Sequence, residues 1–139
     1  MLRIELLDWV KARAEASRIR FAVFVEEQRV PLEMELDEFD PHCVHALAFS
    51  REGVAVATGR LLPDAHIGRM AVLKAWRGRG IGGAILERLV AAARARGEHE
   101  VALSAQTHAL DFYRRHQFLE EGDTYLDAGI PHQTMRRSF

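Results

Sequence analysis

The stretch Arg77-Gly78-Arg79-Gly80-Ile81-Gly82-Gly83 decides how the fold of this chain is predicted. Glycine lets the backbone adopt positive φ and approach a ligand closely, and the apolar period of residues 81–96 predicts a helix that begins within the stretch. Such a turn aims backbone N–H groups and the positive end of the helix dipole at one point. Arg77 and Arg79 add charges that suit phosphate oxygens. The stretch therefore predicts a site for a phosphate or pyrophosphate group.

The segment before this stretch begins with a strand and a helix. Arg3–Leu6 alternates and predicts a short strand, after which Asp8 is expected to cap a helix that runs to about Gln28 and stops before Pro31. The apolar stripe predicted for this helix consists of Trp9, Val10, Ala14, Ser17, Phe21, Phe24 and Val25. Residues 32–41 are rich in Glu and Asp and predict a loop.

Strand patterns then lead up to the glycines and continue beyond them. The predicted strands before the glycines are Cys43–Ser50, Val54–Leu62 and Ile67–Leu73, joined by turns short enough for antiparallel hairpins. After the helix over 81–96 the predicted elements are a strand over Glu100–Ala105, a helix over Gln106–His116, and strands over Phe118–Tyr125 and Gln133–Phe139. This order predicts a mixed α/β sheet in a single domain spanning residues 1–139.

Composition argues against several classes of function. The 139 residues carry a formal net charge of -1, which gives no electrostatic case for broad nucleic-acid binding. Cys43 is the single cysteine of the sequence, which fits a reducing compartment. No apolar run reaches the roughly 18–20 residues that cross a bilayer, and Asp8 interrupts the start of the chain where a signal peptide would be apolar. We expect a cytoplasmic protein without membrane or nucleic-acid partners.

The glycines allow more than one interpretation. Gly78, Gly80 and Gly83 satisfy the dinucleotide pattern G-x-G-x-x-G, but that pattern belongs to a first βαβ unit and needs an acidic residue after the next strand. Here three antiparallel strands are predicted first, and the next strand ends at Leu103-Ser104-Ala105 without a carboxylate. A purely structural turn with solvated arginines stays open as a second interpretation.

A third interpretation rests on motifs in sequence order. Arg77, Gly80 and Gly82 match Gln/Arg-x-x-Gly-x-Gly/Ala, the signature with which the GNAT acyltransferase superfamily binds the pyrophosphate of coenzyme A. Residues 109–113 (ALDFY), followed by Phe118, resemble the second motif of that family. The chain therefore resembles a GNAT acyltransferase.

Two further motifs resemble the ElaA-like branch of that superfamily. The first is residues 23–28 (VFVEEQ), which are followed by Pro31, Asp37 and His45, and the second is residues 129–132 (GIPH), which are followed by Met135. The resemblance departs from the family pattern at Gln117, where a glycine usually ends the helix in a left-handed conformation that strains other residues.

The resemblance implies a fold and a coenzyme site. It implies a central mixed sheet with helices on both faces, in which the strands through Met70–Leu73 and Val101–Ala105 splay apart around the pantetheine arm of acetyl-coenzyme A. The coenzyme-binding residues that it implies are Met70, Ala71, Val72, Arg77, Gly78, Arg79, Gly80, Ile81, Gly82, Gly83, Gln106 and Phe112.

The resemblance also implies an activity, the transfer of an acetyl group to a primary amine by direct attack. It places Tyr113 where a hydroxyl donates a proton to the leaving thiolate. Glu27 is our candidate for the second catalytic group, with an ordinary helix-end acid as the alternative, and Glu27, Asp37 and His132 are candidate substrate-binding residues. If the acidic loop covers the acceptor groove, it favours a cationic amine.

Three remaining expectations concern metal, turnover and assembly. The histidines lack the ligand spacing of a zinc site, so no metal is expected. A catalytically silent coenzyme-A-binding sensor or assembly module is the alternative function. A homodimer formed through exposed strand edges is the assembly expected from the family.

Overall fold

A seven-stranded mixed sheet forms the centre of the molecule in a computed structural model that describes residues 2–139. Its strands are β1 (Arg3–Leu7), β2 (Val44–Phe49), β3 (Ala55–Leu61), β4 (His66–Val72), β5 (Glu100–Gln106), β6 (Leu119–Asp127) and β7 (Ile130–Ser138). They lie in the order β1-β2-β3-β4-β5-β7-β6, and only the pair β4–β5 of this sheet is parallel. The helices are α1 (Trp9–Arg20), α2 (Leu32–Glu35), α3 (Ile81–Ala95) and α4 (Leu110–Arg115). The predicted mixed α/β fold is confirmed.

Helices cover both faces of this sheet, as the resemblance implied. α1 packs Ala12, Ala16 and Ile19 against one face, and α3 packs Ile85 and Leu89 against the other. β3 lies between the two helices, and all seven of its residues are buried. A strand covered on both faces has no solvent-facing side, which explains why its sequence does not alternate between apolar and polar residues.

The phase of α1 differs from the predicted stripe. Asp8 caps the helix as expected, because its carboxylate accepts a hydrogen bond from the Lys11 N–H at 3.0 Å. However, the stripe was wrong at Val10, which is 88% exposed, and at Ala14, Ser17 and Phe21, which are also exposed. The small residues Ala12 and Ala16 face the sheet instead, so that the helix lies close to it, and a pattern read from the large side chains misses this face.

The helix does not continue regularly to Gln28. Residues Phe21–Glu27 form a π-helical segment, and the Gln28 N–H donates to the carbonyl of Val23, five residues earlier, at 3.1 Å. The predicted loop over residues 32–41 contains α2 and a short 3-10 turn over Asp40–His42. These irregular segments cover the end of the sheet where β4 and β5 separate.

The parallel strands β4 and β5 pair over only two positions. His66 pairs with Ala102 and Ile67 with Leu103, and no later residue of β4 pairs with β5 within residues 2–139. Beyond this point Arg69 adopts a positive φ of 49°, unusual for a residue with a side chain, and the β3–β4 register shifts beside it. The two strands therefore open a gap in the sheet, at the place the resemblance implied.

Two turns carry positive φ angles near the C-terminal strands. Gln117 ends α4 with φ of 68°, so the left-handed turn expected there is present with glutamine in place of glycine. Ala128 and Gly129, with φ of 53° and 75°, join β6 to β7 where the sequence predicted a turn. The turn brings residues 127–132 to the open end of the sheet.

Candidate active site

Two clefts meet at the gap between β4 and β5. The larger cleft, of about 880 Å³, lies between the turn that precedes α3, the start of α3, and α4. The smaller cleft, of about 330 Å³, lies on the other side of the gap, between the π-helical segment, α2 and the β6–β7 turn. Residues that line both are Gln28, Met70, His108, Ala109 and Tyr113. A molecule threaded through the gap would thus contact both clefts.

The glycines before and within α3 have two different structural roles. Gly78 and Gly80 both have φ of 78°, and a Cβ added to either would enter open space. By contrast, a Cβ at Gly83 would lie 2.9 Å from His116 Nε2, and one at Gly82 would lie 3.7 Å from the Phe112 ring. The first two glycines form an open turn that a ligand can approach. Gly83 leaves room for His116 at the end of α4, whereas a Cβ at Gly82 would make only ordinary contacts.

Most of the residues predicted to bind the coenzyme line the larger cleft. These are Met70, Ala71, Val72, Arg77, Gly78, Gly80, Ile81, Gly82, Gly83 and Phe112. Arg79 does not line it, because its guanidinium stacks over the Trp76 ring at 4.7 Å and donates to the Ala75 carbonyl. Gln106 lines the smaller cleft instead.

Arg77 joins the glycine turn to the gap in the sheet. Its Nε donates to the Val72 carbonyl at 2.9 Å. The Leu73 N–H donates to Val56 of β3, and strand groups alternate in direction, so the backbone of Val72 points away from β3 and into the gap. The two terminal nitrogens of Arg77 donate to the Glu27 carboxylate at 3.0 and 2.7 Å. Arg77 is therefore held at the mouth of the larger cleft by one backbone and one side-chain partner.

Tyr113 lies at the junction of the two clefts. Its ring packs edge-to-face against Phe112 and Phe118, and its hydroxyl has no hydrogen-bond partner among residues 2–139. Burial raises the pKa of Tyr113 to about 12. The phenol thus keeps its proton near neutral pH, and its hydroxyl remains available to a group that enters the gap.

The polar wall of the smaller cleft contains a chain of side-chain amides. Gln106 donates to Gln28 at 2.8 Å and accepts a hydrogen bond from His108 at 2.6 Å. His132 lies beyond them on β7, paired with Gln106 of β5 and Tyr125 of β6. Of the candidate substrate-binding residues, His132 is the one that lines this cleft.

Glu27 and Asp37 line neither cleft. Glu27 lies at the end of the π-helical segment and is paired with Arg77 near the larger cleft. Asp37 accepts from Arg60 and from Arg69, and of these two partners Arg69 lines the smaller cleft. The structure therefore does not bring these two carboxylates to the wall where His132 lies.

Asp37 belongs to a buried ion network, which we define as Arg20, Glu35, Asp37, Asp40 and Arg60. Arg20 pairs with Glu35 and with Asp40, and Arg60 pairs with Asp40 and with Asp37. Burial alone raises the pKa of Asp37, but hydrogen bonds from Arg60 and the nearby Arg69 charge outweigh it and lower the pKa to about 2. The acidic loop therefore has three of its carboxylates engaged by arginines.

Comparisons with known proteins agree with this geometry. The family model described as "Acetyltransferase (GNAT) domain" matches residues 10–139. The chain belongs to the GNAT acetyltransferase family. It is 38% identical to the uncharacterized N-acetyltransferase YjcF of Bacillus subtilis, over 88% of this chain and 90% of that protein. Its family membership therefore makes this chain an N-acetyltransferase.

Solved structures of GNAT proteins superpose on almost the whole chain. An acyl-CoA N-acyltransferase from Pseudomonas aeruginosa is 32% identical with a TM-score of 0.88, covering 99% of this chain and 100% of that one. ElaA of Escherichia coli is 28% identical with a TM-score of 0.87, at the same coverage. The predicted resemblance to the ElaA-like branch is confirmed.

Residues 2–139 contain neither a membrane-spanning helix nor a cluster of metal ligands. No helix in that range has the length and apolarity to span a bilayer. The same range contains no cluster of three or more His, Cys, Asp or Glu side chains suited to a metal ion.

Sequence reasoning missed several residues of the site. Gln28 was quoted as part of a motif without a role, while His108, Glu35 and Arg69 were not among the candidates, although all four line the smaller cleft. Gln28 and Glu35 lie seven residues apart, but Arg69 and His108 are distant from them and from each other in the chain. The packing of the π-helical segment against the open end of β4 brings them together, and no local pattern signals this contact.

Proposed function

We propose that this GNAT protein transfers an acetyl group from acetyl-coenzyme A to a primary amine by direct attack, with Tyr113 as the general acid. The observation that carries the proposal is the meeting of the two clefts at Tyr113, in the gap between β4 and β5. A site open to both faces of a sheet lets a donor and an acceptor approach from opposite sides and meet in a fixed orientation.

The larger cleft fits a coenzyme with a pyrophosphate. Gly78 and Gly80 leave open space where any side chain would project, and the free N–H groups at the start of the 15-residue helix α3 lie next to them. Arg77 supplies a guanidinium at the same mouth. In support, a GNAT acetyltransferase from Elizabethkingia anophelis with the same fold, TM-score 0.74, was solved with acetyl-CoA bound.

Groups of the protein would then orient the coenzyme and supply the proton that the leaving thiolate needs. The backbone of Met70 and Val72 would hold the amide-bearing arm along the gap as a neighbouring strand would. The bound coenzyme supplies an acetyl thioester. Tyr113 would donate its proton to the sulfur that leaves, a role that suits a phenol whose pKa burial raises to about 12.

The acceptor would occupy the smaller cleft. Its walls include the apolar side chains of Phe24, Val30, Met34, Ile67 and Ile130. Two carboxylates line this cleft, and the Glu35 carboxylate pairs with Arg20, which leaves Asp127 as the one without an ionic partner within residues 2–139. Because apolar walls outnumber this one carboxylate, we propose an amine with a compact apolar body in preference to a polyamine. Glu27 and Asp37 would then act on the acceptor only indirectly, through the residues that they pair with.

A panel of amines tests the activity. Phenethylamine, spermidine, glucosamine and a short peptide with a free N-terminus are each incubated with acetyl-coenzyme A, and thiol release is recorded. We expect phenethylamine to be acetylated fastest. Absence of thiol release with every amine would favour the catalytically silent module.

Tyr113→Phe tests the general acid. Loss of the hydroxyl should lower kcat by about 100-fold and leave the Kd for acetyl-coenzyme A within about twofold, because the ring and its packing remain. The measurement combines the thiol assay with calorimetry. An unchanged kcat would remove Tyr113 from the mechanism.

The glycine turn has its own test. The double variant Arg77→Ala/Gly80→Val should lose measurable binding of coenzyme A in calorimetry, because valine fills the approach to the turn. Gly53→Val is the matched control, since Gly53 also has a positive φ in open space but lines neither cleft. Retained affinity in a folded double variant would contradict the phosphate assignment.

The assembly is a separate proposal. β6 forms one edge of the sheet, all nine of its residues are exposed, and Leu119 and Leu126 are among them. We propose that this edge pairs with a second copy of the chain. Light scattering should give the mass of a dimer, and a proline at Thr124, in the middle of β6, should shift it to a monomer.

A further inference from the structure

We infer that His132 is the general base that takes the proton from the acceptor amine. The inference rests on the proposed function and adds to it the group that the sequence did not identify. An amine attacks only in its uncharged form and loses a proton as the new amide bond forms, so the acceptor side of the gap needs a proton acceptor.

Three histidines line the two clefts, and their hydrogen bonds separate them. His116 lies in the larger cleft with its Nδ1 bound to the Glu87 carboxylate at 2.6 Å. His108 is exposed, and its Nε2 is hydrogen-bonded to the side chain of Gln106. His132 lies in the smaller cleft alone and is 9% exposed. Its position on the acceptor side is therefore distinct from that of His116.

The hydrogen bond of His132 determines which ring nitrogen can accept a proton. Its Nδ1 lies 2.7 Å from the backbone carbonyl of Ile130. A carbonyl oxygen can only accept, so Nδ1 carries the hydrogen and Nε2 carries the lone pair. His108 instead binds a side chain, the Gln106 amide, through its Nε2, and it is exposed, so no backbone group holds its ring.

The Nε2 atom of His132 is open to a ligand. It makes no hydrogen bond within residues 2–139 and is not among the side-chain atoms that are sealed from solvent without a partner. The residue itself is largely buried and lines the smaller cleft. The lone pair is therefore accessible on a residue that lines the space we assign to the acceptor.

The ring is also held in orientation from several sides. Tyr125 stacks on it with ring centroids 6.1 Å apart and an interplanar angle of 23°. The Tyr125 hydroxyl is in turn bound to Ser104 of β5, and β7 is paired on both edges at this position. A base held in one orientation and one tautomer is prepared to accept a proton without rearrangement.

The proton balance of the step is complete with two residues. His132 Nε2 takes the proton that the amine loses as its nitrogen bonds to the acetyl carbon. Tyr113 gives its proton to the sulfur as the carbon–sulfur bond breaks. Solvent then returns a proton to Tyr113 and removes one from His132, and no oxidant, reductant or metal is needed.

The decisive variant is His132→Asn. The asparagine amide retains a donor that can reach the Ile130 carbonyl, but it has no basic nitrogen. With the amine of the panel that the wild type acetylates fastest, kcat near neutral pH should fall by about 100-fold, and the Kd for acetyl-coenzyme A should stay within about twofold. His66→Asn, at an exposed position that lines neither cleft, is the matched control and should keep the wild-type rate.

The pH profile separates a lost base from a damaged site. Both proteins need the amine in its neutral form, but the wild type also needs His132 in its neutral form. Below the amine pKa, kcat/KM of the variant should therefore rise about tenfold per pH unit, and the additional steepness that the base gives the wild type at low pH should be absent. The charged or titratable groups that face His132 from the surrounding elements are Glu35, Arg69, His108, Tyr113, Tyr125 and Asp127. His108→Asn is therefore measured in parallel, and a larger loss in that variant than in His132→Asn would overturn the assignment.

A readout without substrate completes the test. Nitrogen-15 NMR of the wild type should show neutral His132 with its hydrogen on Nδ1, and a hydrogen on Nε2 would overturn the inference even if the variant fails to fold. An active wild type with an equally active His132→Asn variant would overturn only the role of His132. Failure of the wild type to release thiol with any amine would overturn the proposed function itself, and the base with it.

Discussion

The buried ion network and the Arg77–Glu27 pair use the same kinds of side chain for opposite purposes. In the network, Arg20 is 2% exposed and Glu35 6%, and each arginine contacts two carboxylates. In the pair, Arg77 is 43% exposed and Glu27 33%, and each has a single ionic partner among residues 2–139. Burial and pairing with two partners thus make a charge structural, whereas exposure and a single ionic partner leave it available to a ligand.

The largest expected effect is on the network. Arg20→Leu should lower the free energy of unfolding by about 3–5 kcal/mol, because Glu35 and Asp40 would stay buried with much of their compensating charge removed. Urea unfolding followed by circular dichroism measures this. Arg13→Leu, at an exposed position of the same helix, should change the value by only about 0.5 kcal/mol. Similar losses in the two variants would remove the contrast between buried and exposed charges.

A smaller effect should follow acidification. The pKa of Asp37 lies at about 2 in the folded protein, below its ordinary value of 3.8. A lowered pKa contributes stability that is present above the ordinary pKa and is lost as pH falls through the folded value, which amounts to about 2 kcal/mol between roughly pH 4 and pH 2. Asp40, whose pKa arginine pairing lowers against the effect of burial, adds to the loss in the same direction. Unfolding measured at several pH values checks this.

Asp37→Asn is the control for that titration. The variant should start less stable near neutral pH and lose less stability between roughly pH 4 and pH 2, because one titrating carboxylate is gone. Parallel curves for the two proteins would show that Asp37 does not carry the effect.

The smallest effect should appear at the Arg77–Glu27 pair. Glu27→Gln should change the free energy of unfolding by less than about 0.5 kcal/mol, because exposed ion pairs contribute little. The affinity for coenzyme A should rise severalfold, because the arginine no longer has to leave a carboxylate to contact phosphate. Calorimetry measures the affinity for coenzyme A in this variant and in Glu26→Gln, the control at an exposed neighbouring position. Weaker binding of coenzyme A would show instead that Glu27 positions Arg77 for the ligand.

The sequence predicted the residues of the larger cleft better than those of the smaller cleft. The glycine turn, the start of α3 and Tyr113 belong to two short motifs, so their places relative to one another follow from local structure. The smaller cleft combines the π-helical segment, α2, β4 and the β6–β7 turn, which are far apart in the chain. The phase of α1 was missed for a related reason, because the close approach of Ala12 and Ala16 to the sheet depends on what they pack against.

What the sequence determined by itself is the fold class, the family and the turn at Arg77–Gly83, because glycine conformation and helix periodicity act over a few residues. Only the tertiary structure decided what each charge does. Glu27 meets Arg77 across 50 positions and Asp37 meets Arg60 across 23, so two carboxylates that look alike in sequence differ in exposure and partners. Pairing between distant residues depends on how the elements pack, and no local pattern records it.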